Sequence, residues 1–336
     1  MKINLRKWYV DFIEKDRRNV WESIFYCFLL ILSVIYGFAV GLRNLFYDKK
    51  IIPSYKVKAK VLSIGNLSWA GSGKTPLSIW LYENLASQFN TAILRRGYGD
   101  DENKMLLDTT ANVFSLPDRY KLAKSLESSF DVFILDDGFQ FRRLKRDVNI
   151  VIRAGREFKK KYRLIPAYFF REPLSSLGRA DIVLLNYKDE IEQPSELKKS
   201  ILDEFPNLEV YFCQYKFKYF LDLDNNEFDA GVLRGRKLAC FCAIGYPKGF
   251  IAGLKKLDLD IVREIIYPDH YELSQEEFMS LQDDLLQKGI KDLIITSKDR
   301  YHLPVVKFKL NIFIMEVGLK IEDQDSFLQE VVKRLV

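Results

Sequence analysis

The sequence predicts an α/β protein built on a mostly parallel sheet, followed by a second, smaller α/β domain and preceded by an apolar helix. Three observations predict it. From Lys56 onward short β-rich apolar runs alternate with helical stretches, the pattern of βαβ units. A glycine-rich turn, SWAGSGKT (68–75), separates the first such run from the first helical stretch. Ahead of both lies IFYCFLLILSVIYGFAVGL (24–42), 19 residues without a charge.

In chain order, the uncharged run comes first. At ~1.5 Å per residue it is just long enough to cross a bilayer, and its Tyr, Gly and Ser content equally suits a helix lying partly in the interface. Basic residues flank both ends, KDRR (15–18) before it and Arg43 and DKK (48–50) after it, so orientation is not readable. The run starts late and no small-residue cleavage site follows, so a retained helix is expected rather than a cleaved leader. The first strand is KAKVLSIGN, the first helix spans 75–87, and TAILRRGYG is the next strand. Further strands are expected at DVFILDD (131–137), DVNIVI (147–152) and DIVLLN (181–186). After Gln193 come a helix (194–204), the strand VYFCQYKFKYF and a turn at DLDNNEF, then KLACFCAIG, a helix near 248–257, and IVREIIYPDHY. A helix at 274–288, the strands DLIITSKD and NIFIMEV, and a terminal helix complete the chain. The expected divisions are a membrane-associated segment (1–50), a first α/β domain (51–192), a second (193–305), and a terminal strand and helix (306–336) that returns to the first.

The 336 residues, 48% hydrophobic and 29% charged, describe a folded protein with a sizeable core. A net charge of +6 is too small to argue for nucleic acid. Cys27, Cys213, Cys240 and Cys242 form neither a metal-binding spacing nor a disulfide framework, which points to a reduced compartment.

SWAGSGKT fits the phosphate-binding P-loop with Gly73, Lys74 and Thr75 in place, although Ser68 stands where GxxxxGK[ST] has its first Gly. The fold expected is therefore of the P-loop NTPase type. Gly71 and Gly73 let backbone approach phosphate, Lys74 brings a charge to the β- and γ-phosphates, and Thr75 offers a hydroxyl to magnesium. Ser68, Trp69, Ala70, Gly71, Ser72, Gly73, Lys74, Thr75 and Pro76 are the expected nucleotide contacts. Trp69 occupies the position where membrane-partitioning switch ATPases carry an early lysine. Behind VFIL, Asp136 or Asp137 is the expected Mg2+ carboxylate, with the choice between them open.

GNLSWAGSGKTP (65–76), RRGYG (95–99), DDGFQFRRLKRDVNIV (136–151), REPLSSLGRADIVLLN (171–186), AIGYPKGF (243–250), YPDHY (267–271) and ITSKD (295–299) occur in one order. In that order the chain resembles the tetraacyldisaccharide 4'-kinases of lipid A biosynthesis, from end to end. The resemblance implies a kinase that uses ATP and Mg2+ on the cytoplasmic face of the inner membrane, held there peripherally or as a monotopic protein. It would phosphorylate the 4'-hydroxyl of an acylated glucosamine disaccharide 1-phosphate, forming lipid IVA. The implied partners are this lipid and the membrane surface, with no nucleic acid and no obligate protein partner. A lipid acceptor leaves the bilayer only at ~0.8 kcal/mol per CH₂, so such an enzyme must go to it.

The family pairs an Asp of a GDEP-type motif with a His of a PDH motif. His270 matches the second within Pro268-Asp269-His270. The first appears only as GDDEN (99–103) in a shortened segment, making Asp101 the candidate base and Asp100 its alternative. Catalysis is thus expected of Asp101, His270 and Lys74, and acceptor contacts of Asn66, Arg96, Gln140, Arg142 and Arg171, with Arg143 a further basic candidate. Phe141 stands where the family usually has His and cannot exchange a proton. Two alternatives stay open: a membrane-bound nucleotide-binding protein of this fold without phosphoryl transfer, and a kinase for another glycolipid or small molecule.

Overall fold

The structure is a computed structural model and describes residues 5–69, 73–97, 106, 112–154, 162–186, 194–245, 247–269 and 271–336. Two compact units make up the chain: Met1–Tyr98, Thr109–Gln214 and Leu319–Val336 form the first, Gly99–Asp108 and Tyr215–Gly318 the second.

The first unit opens with two helices, α1 (Leu5–Glu14) and α2 (Val20–Asp48). A capping box starts α2: the Glu22 N–H donates to the Asn19 side chain at 2.8 Å, and the Asn19 N–H donates to the Glu22 carboxylate at 2.9 Å. At 29 residues α2 is about 44 Å long. One stripe is buried, through Leu29, Ser33, Val40 and Asn44 at spacings of four, seven and four. Its other faces expose Trp21, Ile24, Phe28, Ile31, Val34 and Phe38.

The sheet of this unit is assembled from β1 (Lys60–Gly65), β2 (Thr91–Arg95), β3 (Val113–Ser115), β4 (Val132–Leu135), β5 (Val148–Ala154), β6 (Ile182–Asn186) and the first half of β7 (Glu209–Leu221). Its order is β7-β6-β5-β1-β4-β2-β3, and every pairing is parallel. Helices α3 (Lys74–Leu85), α4 (Arg119–Leu126) and α5 (Pro194–Glu204) supply the crossovers. The central strands read as unbroken apolar runs because both faces are covered: β4 and β6 are buried throughout. Of the strands and crossover helices of this sheet, two are absent from the sequence reading. Strand β3 has only three residues, and α4, RYKLAKSL, is too polar to show a clear apolar stripe; Asp118 caps it by accepting from the Lys121 N–H. The strand expected at 131–137 ends at Leu135, leaving Asp136 and Asp137 in the turn beyond.

In the second unit β8 (Glu227–Phe228) pairs antiparallel with the end of β7. Strands β9 (Leu238–Cys242), β10 (Ile261–Ile266), β11 (Asp292–Thr296) and β12 (Asn311–Ile321) form a parallel array in the order β10-β9-β11-β12, with α6 (Pro247–Lys255) and α7 (Gln275–Gln287) between them. Helix α8 (Gln324–Leu335) belongs to the first unit: the Phe327 ring lies 5.8 Å from that of Trp80, and Arg334 bonds Asp181 at 3.1 Å. All four cysteines are free, with Cys27 exposed and the others buried; burial pushes the Cys240 and Cys242 thiols up to about 12.

Candidate active site

The site forms where β1, β4 and α3 converge in the first unit. Gly65 ends β1 because no larger residue fits: a Cβ there would lie 2.3 Å from Phe139 Cβ and 2.9 Å from the Phe139 amide nitrogen. The DDGF turn therefore stacks directly on the loop that leads into α3. Two bonds hold it there, from the Gly138 N–H to the Ile64 carbonyl and from Gln140 Nε2 to the Asn66 carbonyl, both 2.8 Å. Asn66 and Ser68, fully buried, bond each other: Asn66 Nδ2 donates to Ser68 Oγ at 2.8 Å and the Ser68 N–H donates to Asn66 Oδ1 at 3.2 Å. The Trp69 N–H donates to the Phe169 carbonyl at 3.1 Å.

Gly73 sits at φ +91°, in the left-handed region that glycine enters without a steric cost, and α3 begins at the next residue. Its N-cap, Gly73, has no side chain to cap this end, and the helix dipole favours an anion there. Pro76 lies in the first turn, where its missing N–H costs no helical bond. Thr75 is buried beside it. Ala70, Gly71 and Ser72 lie outside the described residues.

The two aspartates behind β4 have different surroundings. Asp136 is only 4% exposed; Oδ2 accepts from Arg95 Nε at 3.0 Å and Oδ1 from Ser78 Oγ at 3.2 Å. Asp137 turns the other way, at φ +50°, and its side chain is 41% exposed. The Arg171 guanidinium donates both Nη groups to it at 2.8 and 2.9 Å, a bidentate fork. Lys74 Nζ stands 3.6 Å from Asp137 Oδ1. Burial alone would push the Asp137 carboxyl up, but the charge of Lys74 and the fork of Arg171 outweigh it and hold the group well below the usual carboxylate range. Arg119 Nη1 donates to the backbone carbonyls of Asp136 and Asp137, each at 3.0 Å, and so fixes the turn. Its guanidinium lies 4.5 Å from the centre of the Phe141 ring, so the aromatic residue packs under a structural arginine.

Of the other expected acceptor contacts, Arg96 is exposed just past β2. Arg142 is drawn to α2 instead, donating to the Asn44 carbonyl at 3.0 Å and to Asp48 at 2.5 Å. Arg143 donates to Asp118 at 2.8 Å. Asp101 and His270 lie outside the described residues. Next to His270, Asp269 pairs with Lys298 at 3.4 Å, joining the YPDHY and ITSKD motifs inside the second unit. Sequence reasoning overlooked Arg95, Ser78, Arg119 and Glu172. Arg95 and Glu172 stood inside quoted motifs, and the signal was a charged residue at the end of a buried strand or beside another charge.

Among the described residues no group of three His, Cys, Asp or Glu gathers as a metal cluster. The partly exposed Asp137 carboxylate, with the Thr75 hydroxyl at the head of α3, is an all-oxygen donor set. That set suits Mg2+, which takes one or two protein oxygens and completes its shell with phosphate and water.

A family model described as tetraacyldisaccharide-1-P 4'-kinase matches residues 25–336. Among curated relatives, the tetraacyldisaccharide 4'-kinase of Aquifex aeolicus is 31% identical, over 91% of this chain and 98% of the relative. The enzyme of the same name from Elusimicrobium minutum is 30% identical over 94% and 93%, and that of Halothermothrix orenii 27% over 99% of both chains. A crystal structure of LpxK from Aquifex aeolicus in complex with ATP superimposes with a TM-score of 0.73 at 28% identity, covering 93% of this chain and all of that one.

Proposed function

Because this chain belongs to the tetraacyldisaccharide-1-P 4'-kinase family, we propose that it transfers the γ-phosphate of ATP to the 4'-hydroxyl of a tetraacylated glucosamine disaccharide 1-phosphate. The observation that carries the reading is the Lys74–Asp137–Arg171 arrangement at the head of α3. Phosphoryl transfer asks a protein chiefly for positioned charge, and this arrangement presents two cations and one partly exposed carboxylate beside a helix N-terminus. When nucleotide binds, Lys74 exchanges Asp137 for phosphate oxygens, and Arg171 remains to neutralise the carboxylate. Asp137 and Thr75 are the residues that would hold Mg2+, which supplies charge neutralisation across the β- and γ-phosphates. Asp136, engaged with Arg95 and Ser78, anchors the turn. Asp101 and His270 are assigned to the acceptor hydroxyl on their motifs alone.

The acceptor is a lipid, and α2 is the membrane element. Four polar residues along its buried stripe bond the protein core: Tyr26 accepts from Arg163 at 2.7 Å, Ser33 and Tyr36 donate to carbonyls at 2.8 Å, and Asn44 donates to Glu172 at 3.1 Å. A helix tied to protein along its length cannot be ringed by acyl chains, so this supports a helix embedded in the interface through its exposed apolar faces. The membrane is assigned as the inner one, with the site facing the cytoplasm.

The test is transfer of labelled γ-phosphate to the tetraacyldisaccharide 1-phosphate in mixed micelles. Lys74→Ala, Asp101→Ala and His270→Ala should each lower transfer by about 10²-fold or more. A folded wild type that binds ATP and transfers nothing would replace this reading with a nucleotide-binding protein of the same fold.

A further inference from the structure

The buried stripe of α2 and the phosphate site meet at two consecutive residues, Arg171 and Glu172. The Arg171 side chain forks onto Asp137, while its backbone is held from two sides. Its N–H donates to the Leu67 carbonyl at 2.6 Å, in the loop that leads to α3, and its carbonyl accepts from Tyr36 of α2 at 2.8 Å. Glu172, fully buried, accepts from Arg43 at 3.0 Å and Asn44 at 3.1 Å, both on α2, and from Arg179 at 2.6 Å. Neutralisation by Arg179 and Arg43 outweighs burial and keeps the Glu172 carboxyl below its usual range.

Resting on the reading of Lys74 and Asp137 as the nucleotide side of the site, we infer that Tyr36, Arg43 and Asn44 of the membrane helix are positioning residues for nucleotide binding. They act through Arg171. When its backbone is pinned, the guanidinium stays on Asp137 and Lys74 is released to the phosphates. When the backbone drifts, Asp137 keeps Lys74 as its counter-charge and competes with the incoming nucleotide. Docking of α2 and occupancy of the site are therefore coupled, and the coupling is reciprocal: bound nucleotide tightens the docking of the membrane helix.

The structure supplies its own control. Ser33 donates to the Leu164 carbonyl at 2.8 Å from the same stripe, one turn before Tyr36, with no bond to Arg171 or Glu172. Full-length protein in detergent micelles is titrated with a fluorescent trinitrophenyl-ATP and Mg2+. Tyr36→Phe is expected to raise the Kd about two- to fivefold and Asn44→Leu about tenfold, while Ser33→Ala stays within about twofold. In an Arg171→Ala background Tyr36→Phe should have no further effect, because the residue through which it acts is gone. In turnover, the KM for ATP should rise with the Kd while the KM for the lipid acceptor stays. Equal effects of Tyr36→Phe and Ser33→Ala, or an undiminished effect in the Arg171→Ala background, overturn the inference. The Kd pattern is read without turnover, so a wild type that binds nucleotide yet transfers no phosphate would refute the kinase reading while leaving this one to be decided by its own data.

Discussion

Adjacent aspartates with opposite consequences give the sharpest prediction. Asp136→Asn keeps the side-chain shape but removes a charge buried against Arg95, whose own side chain is only 6% exposed. Breaking a buried pair from one side costs about 3–5 kcal/mol, because the remaining charge is left uncompensated in the interior. At roughly 2–4 °C per kcal/mol, the melting temperature of the first unit should fall by about 10 °C. Asp137→Asn differs. The carboxylate is 41% exposed, pairs of that kind are worth about 0–1 kcal/mol, and asparagine tolerates the φ of +50° as well as aspartate does. Stability should therefore change by about 1 kcal/mol or less, whereas transfer should be lost and Mg2+ should no longer tighten nucleotide binding. Thermal melting by circular dichroism and a nucleotide titration with and without Mg2+ read both quantities. If Asp137→Asn destabilises more than Asp136→Asn, or if Asp136→Asn melts with the wild type, the division of roles argued from their surroundings is wrong.

Three further outcomes are expected. Gly65→Ala places a Cβ 2.3 Å from Phe139 Cβ, so the DDGF turn must shift; a loss of about 1–3 kcal/mol and weakened nucleotide binding should appear together in melting and titration experiments. Cys27, exposed on α2, should react with a water-soluble maleimide in lipid-free protein and be protected by phospholipid vesicles, while Cys240 and Cys242, whose burial keeps them as thiols, stay unlabelled in both; labelling of Cys27 unchanged by vesicles would count against an embedded helix. Asp137 and Glu172 both have folded-state pKa values below their unfolded ones, so the stability they contribute is complete above about pH 4 to 4.5 and is lost as pH falls through their lower folded values. The Asp137 contribution, small as it is and read as the melting-temperature difference from Asp137→Asn, should be flat from pH 8 to 5 and decline only in stronger acid, and the Glu172 contribution, read against Glu172→Gln, should follow the same course.

The parallel sheet and the P-loop were legible in the sequence because their signals are local. An apolar run of four to six residues buried on both faces, as in KVLSIG or IVLLN, looks the same whatever surrounds it, and GSGKT between a strand and a helix carries its phosphate chemistry in its spacing. The resemblance of the motifs reached the family for the same reason. Strand β3 and helix α4 escaped because three residues and a polar octapeptide carry too little periodicity to be seen.

What the sequence by itself determined, then, was the order of elements, the anion-binding loop, the two carboxylates behind β4 and the presence of a long apolar helix. It left Asp136 and Asp137 equivalent, since two neighbours in a chain differ only in the direction their side chains take and in what lies there. Folding brought Arg95 and Ser78 to one, and Lys74 and Arg171 to the other. Arg142 read as a substrate clamp on charge alone, yet the tertiary structure gave it Asp48 and the Asn44 carbonyl, 94 and 98 residues away. The use of α2 was decided in the same way. Hydropathy measures how apolar a helix is and not which of its few polar residues meet partners, so only the fold turned Ser33, Tyr36 and Asn44 toward the protein and left Trp21, Ile24, Phe28, Ile31, Val34 and Phe38 exposed.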